Sequence, residues 1–294
     1  MSRPRALEVV ATGPQTTVQD LGREGLAGLG VGRSGAADAL SLRLANRLLG
    51  NPEGTAALEV TFGGLELRAR GGMWVTVTGA TTPLTVDGRP VGHAAVSWVP
   101  DGSSLRLAPA TAGLRSYLGV RGGIAVAPVL RSRSTDTMAV LGPAVPAPGD
   151  LLPVGPAPTT PLLVDLAPVR YPSTGLVRLR VAPGPRTDWF VASALDVLTG
   201  GTYEVTAESN RVGMRLAGPV LERARTEELK SEGMVPGALQ VPPTGQPTLF
   251  LADHPVTGGY PVIGVVLSED IGLAAQAQPG QHLRFVLSGG GSRG

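Results

Sequence analysis

Glycine and proline break this chain so often that no long regular element can run through it. Of its 294 residues 42 are glycine and 27 are proline, against usual shares of about 7% and 5%. Short apolar, β-branched runs lie between the breaks, which describes many strands joined by tight turns. Ala6–Thr12, Leu65-Glu66-Leu67-Arg68 and Trp74-Val75-Thr76-Val77-Thr78 read as strands. Thr85-Val86-Asp87-Gly88-Arg89 carries the Asp-Gly signal of a two-residue hairpin. Strands recurring without intervening helices imply an antiparallel barrel or sandwich.

Two helices interrupt the pattern. Over 36–49, Ala37, Leu40, Leu44 and Leu48 share one apolar face, Asp38 suits the positive end, and Gly50-Asn51-Pro52 stops the run. A second helix is expected from Thr187 or Asp188 to about Leu198, ended by Gly200-Gly201. Strands then follow at Tyr203–Thr206, 248–252, 262–267 and 282–287. Seven prolines fall between 143 and 161, a density that stiffens the chain and cannot continue a ladder. The division is therefore expected as an N-terminal β-rich domain, 1–160, and a C-terminal β-barrel domain, 161–294. Pro148-Gly149-Asp150-Leu151-Leu152 echoes Pro279-Gly280-Gln281-His282-Leu283, as a tandem of related domains would.

Charge and composition exclude several classes of function. The pI of 9.4 accompanies a net charge of only +2, and aromatic residues make up 4%; no basic run interleaves with aromatics, which argues against nucleic acid. Without cysteine there is no disulfide, thiol nucleophile or thiolate metal site. His93, His254 and His282 lack a partner at metal-ligand spacing, so no metal is expected. No apolar run reaches the 18 residues of a membrane span, and the expectation is a cytoplasmic protein.

Polar residues gather in three places. Thr16–Arg23 reads as a polar loop, followed by Gly30-Val31-Gly32-Arg33-Ser34-Gly35. That run matches a dinucleotide fingerprint in spacing but lacks the strand before it. Ser34 and the free N–H groups at the helix mouth either hold an anion or mark a simple cap. Arg131-Ser132-Arg133-Ser134-Thr135-Asp136 is either a solvated loop or part of a site. The stretch 208–264 is the richest, setting Asn210, Arg211, Ser231, Glu232, Gln240, Gln246, Asp253 and Thr257 among glycines and prolines. Each has a bland alternative: a turn cap for Asp253, a bulge with an ion pair for Asn210-Arg211, a strand end for Ser231-Glu232.

These pieces together carry a resemblance. Thr-Thr-Val-Gln-Asp-Leu-Gly-Arg (16–23), Ser-Gly-Ala-Ala-Asp (34–38), Ser-Arg-Ser-Thr-Asp (132–136), Ser-Asn-Arg-Val-Gly-Met-Arg (209–215), Gln-Val-Pro-Pro-Thr-Gly-Gln-Pro (240–247) and Thr-Gly-Gly-Tyr-Pro (257–261) resemble the biotin-dependent carboxyltransferase subunit family. It contains the C component of 5-oxoprolinase and KipA, once called allophanate hydrolase subunit 2. The resemblance implies tandem, cyclophilin-like β-barrel domains and two partners, one KipI-like and one LamB/YcsF-like. The implied reaction is ATP-dependent opening of 5-oxoproline to L-glutamate. Carboxyl transfer from biotin, or a KipA-like regulatory role, is the alternative. Val212-Gly213-Met214-Arg215 stands where the family more often has Met-Gly-Tyr-Arg.

No Gly-x-x-x-x-Gly-Lys loop is present, so ATP is expected on another loop or on a partner, and the protein is not expected to act alone. A lactam, a urea and a ureido ring all set a planar C=O beside N–H, which a carboxylate acceptor and an amide or backbone donor can grip together. The expected catalytic residues are Asp253, as acceptor or base, with Ser231 and Glu232. The expected substrate-binding residues in the second half are Asn210, Arg211, Gln240, Gln246, Thr257, Gly258, Gly259 and Tyr260. In the first half they are Ser34, Arg133, Ser134 and Asp136.

Overall fold

The computed structural model describes residues 4–289. Most elements are strands, with three α-helices: α1 (Ala39–Leu48), α2 (Ala194–Gly200) and α3 (Ser268–Ala275). The chain forms two compact units. The first runs up to Glu24 and includes Ser34–Asp136 and Val140–Pro172; the second takes Gly25–Arg33, Thr137–Ala139 and the chain from Ser173 on.

Two antiparallel sheets make the first unit. One is ordered Leu151–Pro153, Ala6–Thr12, Leu65–Arg70, Ser104–Leu107, Leu84–Val86, Arg89–Val91, and the other Gln15–Gln19, Ala57–Thr61, Ala112–Val120, Met73–Thr81, Ser97–Val99. Alternation decides the first sheet's faces: Leu65, Leu67 and Ala69 are buried while Glu66, Arg68 and Arg70 point out. Their partners across the core include Val18, Leu58, Val75, Val77 and Leu118 of the other sheet. That second sheet is buried on both faces because α1 covers the outer one. Thr78 Oγ1 donates to Ser41 O at 2.7 Å, and a Cβ on Gly119 would stand 2.9 Å from Leu49 Cδ1, so glycine is what lets the helix lie so close.

The expected hairpin is present: Leu84–Val86 pairs with Arg89–Val91, and Asp87 and Gly88 take φ of 49° and 76°. The proline-rich stretch also joins this unit. Leu151–Pro153 adds an edge strand to Ala6–Thr12, and Arg121 donates to the carbonyls of Leu49, Pro158 and Thr160.

Seven strands close the second unit into a barrel, in the order Val177–Pro183, Val262–Val266, Ala238–Gln240, Thr248–Phe250, Gly213–Ala217, Tyr203–Val205, His282–Leu287. Closure comes from parallel pairing of the last strand with the first. Leu179, Val181, Tyr203, Leu239, Leu249, Ile263 and Phe285 fill its interior. A two-strand ribbon, Glu232–Gly233 against Thr257–Gly258, stands outside the barrel sheet.

Several expectations change. Residues 15–19 are a strand rather than part of a polar loop, with Thr16, Thr17 and Gln19 buried. Their donors find partners inside, with Gln19 Nε2 donating to Thr135 O and Thr135 N to Val18 O, both at 2.9 Å, while Gln19 Oε1 has no hydrogen-bond partner among the described residues. Helix α1 buries Leu42, Ala45, Asn46 and Leu48, while Leu40 is 61% exposed. Asn46 decides that face, since its side chain donates to Glu53 O and Thr55 O and accepts from Asn51.

The second expected helix is broken. A 3-10 turn, Thr187–Trp189, is followed by extended Phe190 before α2 begins. A bridge from Phe190 to Arg223, with Val191 N donating to Glu222 O, draws this segment into β pairing. Helix α3 carries little signal in the sequence, its eight residues containing Gly272 and little apolar periodicity.

Candidate functional site

In the first unit a buried carboxylate organises the Arg131–Asp136 loop. Asp20 Oδ1 accepts from Ser132 Oγ at 2.6 Å, Ser134 Oγ at 2.5 Å and Gly22 N at 2.8 Å, and Oδ2 accepts from Arg133 N at 2.6 Å. Arg23 adds bonds to Val129 O and Ser134 O. With several donors of the loop bound to one buried side chain, this loop is built rather than solvated. Ser34, with φ of 55°, sends its hydroxyl toward Thr135 O at 3.4 Å. Asp136 is buried and pairs through its backbone with Leu141.

The mouth of α1 is occupied by other residues of the chain, and Ser34 is not its cap. Asp38 caps the helix, accepting from Ser41 N at 3.1 Å. Glu59 Oε2 takes Ala37 N at 2.9 Å, and the Tyr117 hydroxyl takes Asp38 N at 2.7 Å while donating to Glu59 at 2.7 Å. Burial first, then the charges of Glu59 and Asp38, pushes the Tyr117 phenol well above its ordinary range, so it remains a donor. An added anion would meet two carboxylates there.

In the second unit Arg211 and Asp253 form an enclosed pair. Arg211 Nε donates to Asp253 Oδ2 and Nη2 to Oδ1, each at 2.9 Å, with both side chains 0% exposed. Thr137, from a short segment of the first half that packs into this unit, donates to Oδ2 through its N–H at 3.0 Å and its hydroxyl at 2.8 Å. At least four donors therefore converge on Asp253, tying it to Arg211 and Thr137. Asn210 closes a turn, its Oδ1 accepting from Val212 N and Gly213 N.

A third group lies around the ribbon. Glu232 is gripped by the Arg186 guanidinium, with Nε 2.9 Å from Oε1 and 3.0 Å from Oε2. Those hydrogen bonds hold the Glu232 carboxyl below its ordinary value and raise that of Arg186. Across the ribbon, Gly258 lies over Gln240: a Cβ there would stand 2.5 Å from Gln240 Nε2. That amide donates to Tyr260 O at 3.3 Å, which leaves Oε1 the atom able to accept from a ligand N–H. Ser231, Thr257 and Tyr260 are exposed, and Gly259 runs beside Leu229 O.

Gln246 stands apart from these groups. Its Oε1 accepts from Gly218 N at 2.8 Å and its Nε2 donates to Gly218 O at 3.1 Å, so both ends of the amide staple a loop. Thr137 and Arg186 carried no signal by spacing, since each gains meaning only from a carboxylate far along the chain. Asp20 lies in the Thr16–Arg23 cluster, whose residue types give no sign that its side chain is buried.

The start of α1, one place where a nucleoside triphosphate could set a phosphate, is already engaged by Asp38 and Glu59; the first turns of α2 and α3 carry Asp196, Glu269 and Asp270, of which Asp270 is taken up by Arg180. The Gln246 amide and the Asp253 carboxylate are engaged internally, so neither is available for the C=O/N–H edge that a lactam and a ureido ring share.

The family model described as "Carboxyltransferase domain, subdomain A and B" matches residues 29–287. The C component of 5-oxoprolinase from Escherichia coli is 36% identical over 283 residues, covering 95% of this chain and 90% of that protein. The crystal structure of TTHA0988 superposes with a TM-score of 0.88 at 34% identity, over 97% of this chain and 56% of that one. The Kluyveromyces lactis urea carboxylase structure gives a TM-score of 0.92 at 30% identity, over 98% of this chain and 28% of that chain. The chain thus spans little more than half, or about a quarter, of the solved chains it matches. No helix among the described residues is long and apolar enough to cross a membrane.

Proposed function

We propose, for a chain that belongs to the carboxyltransferase-domain family, subdomains A and B, that it serves as the C component of an ATP-dependent 5-oxoprolinase. The reaction is 5-oxo-L-proline, ATP and water to L-glutamate, ADP and phosphate. One observation carries this reading: likeness to a component of that name extends over 95% of this chain and 90% of the relative, so it is not a likeness of one shared module.

In this reading the chain acts with a KipI-like partner and a LamB/YcsF-like partner in the cytoplasm. ATP is bound on one of these partners, in keeping with a sequence that has no Gly-x-x-x-x-Gly-Lys loop. The domains are proposed as 1–160 and 161–294. The ribbon is the substrate face: Gln240 Oε1 accepts the lactam N–H, and the exposed Ser231, Thr257 and Tyr260 surround it, with Gly258 and Gly259 permitting close approach. Glu232, kept ionised by Arg186, orients the ring as a hydrogen-bond acceptor. A carboxylate with a lowered pKa is a weak base near neutrality. Asp253 is a positioning residue, with Arg211 and Asn210.

A second reading is favoured by the high superposition on a urea carboxylase. There the chain is the carboxyltransferase component of a biotin-dependent enzyme, and biotin is carried on another domain. Co-expression with the KipI-like and LamB/YcsF-like proteins, followed by an ATP-dependent assay for glutamate release from 5-oxo-L-proline, decides between them. Activity that needs all three supports the first reading; an assembled complex that releases no glutamate rejects it.

A further inference from the structure

We propose that the two-strand ribbon, Glu232–Gly233 against Thr257–Gly258, is a lid on the outer face of the barrel, latched to the barrel rim by the Arg186–Glu232 pair and lifted to admit a ligand to Gln240. The inference deepens the preceding reading by saying how that site is entered, and rests on it for what the ligand is.

The ribbon lies on a small apolar patch separate from the barrel interior. Strand alternation sends Leu239, Leu249 and Ile263 inward and leaves Ala238, Phe250 and Val262 on the outer face. Met234 extends the ribbon, its N–H donating to Val256 O at 2.9 Å, and its side chain packs on that patch. Gln240 shares the face, in register with Val262. It is only 9% exposed, a Cβ on Gly258 would stand 2.5 Å from its Nε2, and Nε2 donates to Tyr260 O at 3.3 Å. A planar amide ligand meets another amide edge to edge, near the plane of its C=O. So little exposure leaves no room for a ring in that position, and the ribbon has to lift before Gln240 Oε1 can accept from one.

Its attachments suit a latch rather than a lock. Two residue pairs make the ribbon ladder, and so short a two-strand hairpin is not stable by itself; side-chain contacts keep it in place. On its N-terminal side, residues 226–230 make no backbone-to-backbone hydrogen bond among the described residues. On the other, Pro236 and Gly237, the latter at φ of 87°, turn the chain into the barrel. Arg186 belongs to the rim, since its N–H donates to Val262 O at 3.2 Å and Gly184 N to Ile263 O at 2.8 Å. From there Nε reaches both oxygens of Glu232, at 2.9 and 3.0 Å, and Nη2 also binds Oε1. These side chains are 37% and 27% exposed, and an ion pair open to water is weak. Breaking it exposes no buried charge, unlike breaking Arg211–Asp253, both 0% exposed.

The chain contains no cysteine, so a single introduced thiol reports on its own position. The full chain carrying Ala238→Cys, beneath the ribbon, is compared with one carrying Ala274→Cys, in the barrel core. Each is prepared alone and combined with Arg186→Gln or Glu232→Gln, and labelling by an aromatic disulfide reagent is followed by absorbance. Where opening and closing outpace the chemistry, the rate tracks the population of the open form. Ala238→Cys alone should be labelled far more slowly than a small-molecule thiol. Either latch variant should speed it by about 2–5-fold, the scale of an exposed ion pair, while Ala274→Cys stays slow. Glu232→Gln decides the matter should Arg186→Gln not fold. The proposal is overturned by a rise of less than about twofold, by an equal rise at Ala274→Cys, which would mean unfolding of the barrel, or by an Ala238→Cys thiol as reactive as a small-molecule one. No substrate enters this test. Labelling as expected in a chain whose assembled complex releases no glutamate would reject the 5-oxoprolinase reading and leave the lid standing; glutamate release with unmoved labelling would reject the lid alone.

Discussion

Arg211 holds Asp253 through two parallel hydrogen bonds of 2.9 Å, and neither side chain reaches solvent. Replacing Asp253 with Asn would turn an accepting oxygen into an N–H facing Arg211 or Thr137, both donors. Breaking a buried pair typically costs about 3–5 kcal/mol, so Asp253→Asn should lose on the order of 3 kcal/mol in denaturant unfolding. A loss below about 1 kcal/mol would show that the pair does not hold the second unit together.

Arg186 lowers the pKa of Glu232 through hydrogen bonds first and charge second. A carboxyl depressed in the folded state adds stability above its unfolded value, and that stability is lost as pH falls through the folded value. Arg186→Gln should therefore move the Glu232 titration up toward its ordinary 4.5, followed by carbon NMR of the carboxyl. An unmoved titration would break the assigned coupling. Any glutamate-release activity that depends on ionised Glu232 should lose its acid limb at higher pH in the variant.

Tyr203 buries a hydroxyl that has no hydrogen-bond partner among the described residues, and burial pushes its pKa up to about 12. Its ring packs against Phe285 with centroids 5.7 Å apart, a contact that phenylalanine would keep. Removing an unsatisfied buried polar group relieves about 1–3 kcal/mol of desolvation. Tyr203→Phe should thus be neutral or stabilising in thermal unfolding, and a clear loss would mean the hydroxyl has an unseen partner.

Gly258 and Gly184 should respond differently to alanine. At Gly258 the new Cβ would meet the Gln240 amide, 2.5 Å away at the end of a side chain that can turn aside. At Gly184 it would stand 2.3 Å from the Val262 carbonyl oxygen, which is fixed in the barrel. Gly258→Ala should fold with stability near wild type while displacing Gln240 and lowering activity. Gly184→Ala should be destabilised by several kcal/mol, in line with overpacking. Equal melting temperatures for the two would contradict the distinction.

Much of the fold was legible because it follows from contacts a few residues apart. Asp87-Gly88 makes a tight hairpin since both residues tolerate positive φ. The repeated Pro-Gly turns at 148–152 and 279–283 act alike. Gly149 and Gly280 take φ of 97° and 84°. Asp150 Oδ2 accepts from Ala147 N as Gln281 Oε1 does from Gln278 N, at 2.8 and 3.1 Å. Each turn then enters a strand, Leu151–Pro153 or His282–Leu287.

Other features had no local cause. The apolar spacing of α1 pointed to Leu40, but the bonds of Asn46 to Glu53 and Thr55 turned a different face inward. Thr187-Asp188 looked like a helix start, yet pairing with residues 222–224 drew the next residues into extended backbone. Thr137 reaches Asp253 across 116 residues, and Ser134 reaches Asp20 across 114. Turn chemistry and strand alternation are set by a residue's own backbone and its near neighbours, so the sequence by itself determined the strand-and-turn framework and the motifs of its family. Which polar residues are buried, and which carboxylate each one serves, was decided only when the tertiary structure removed water from them and left a distant partner as the sole means of satisfying their hydrogen bonds.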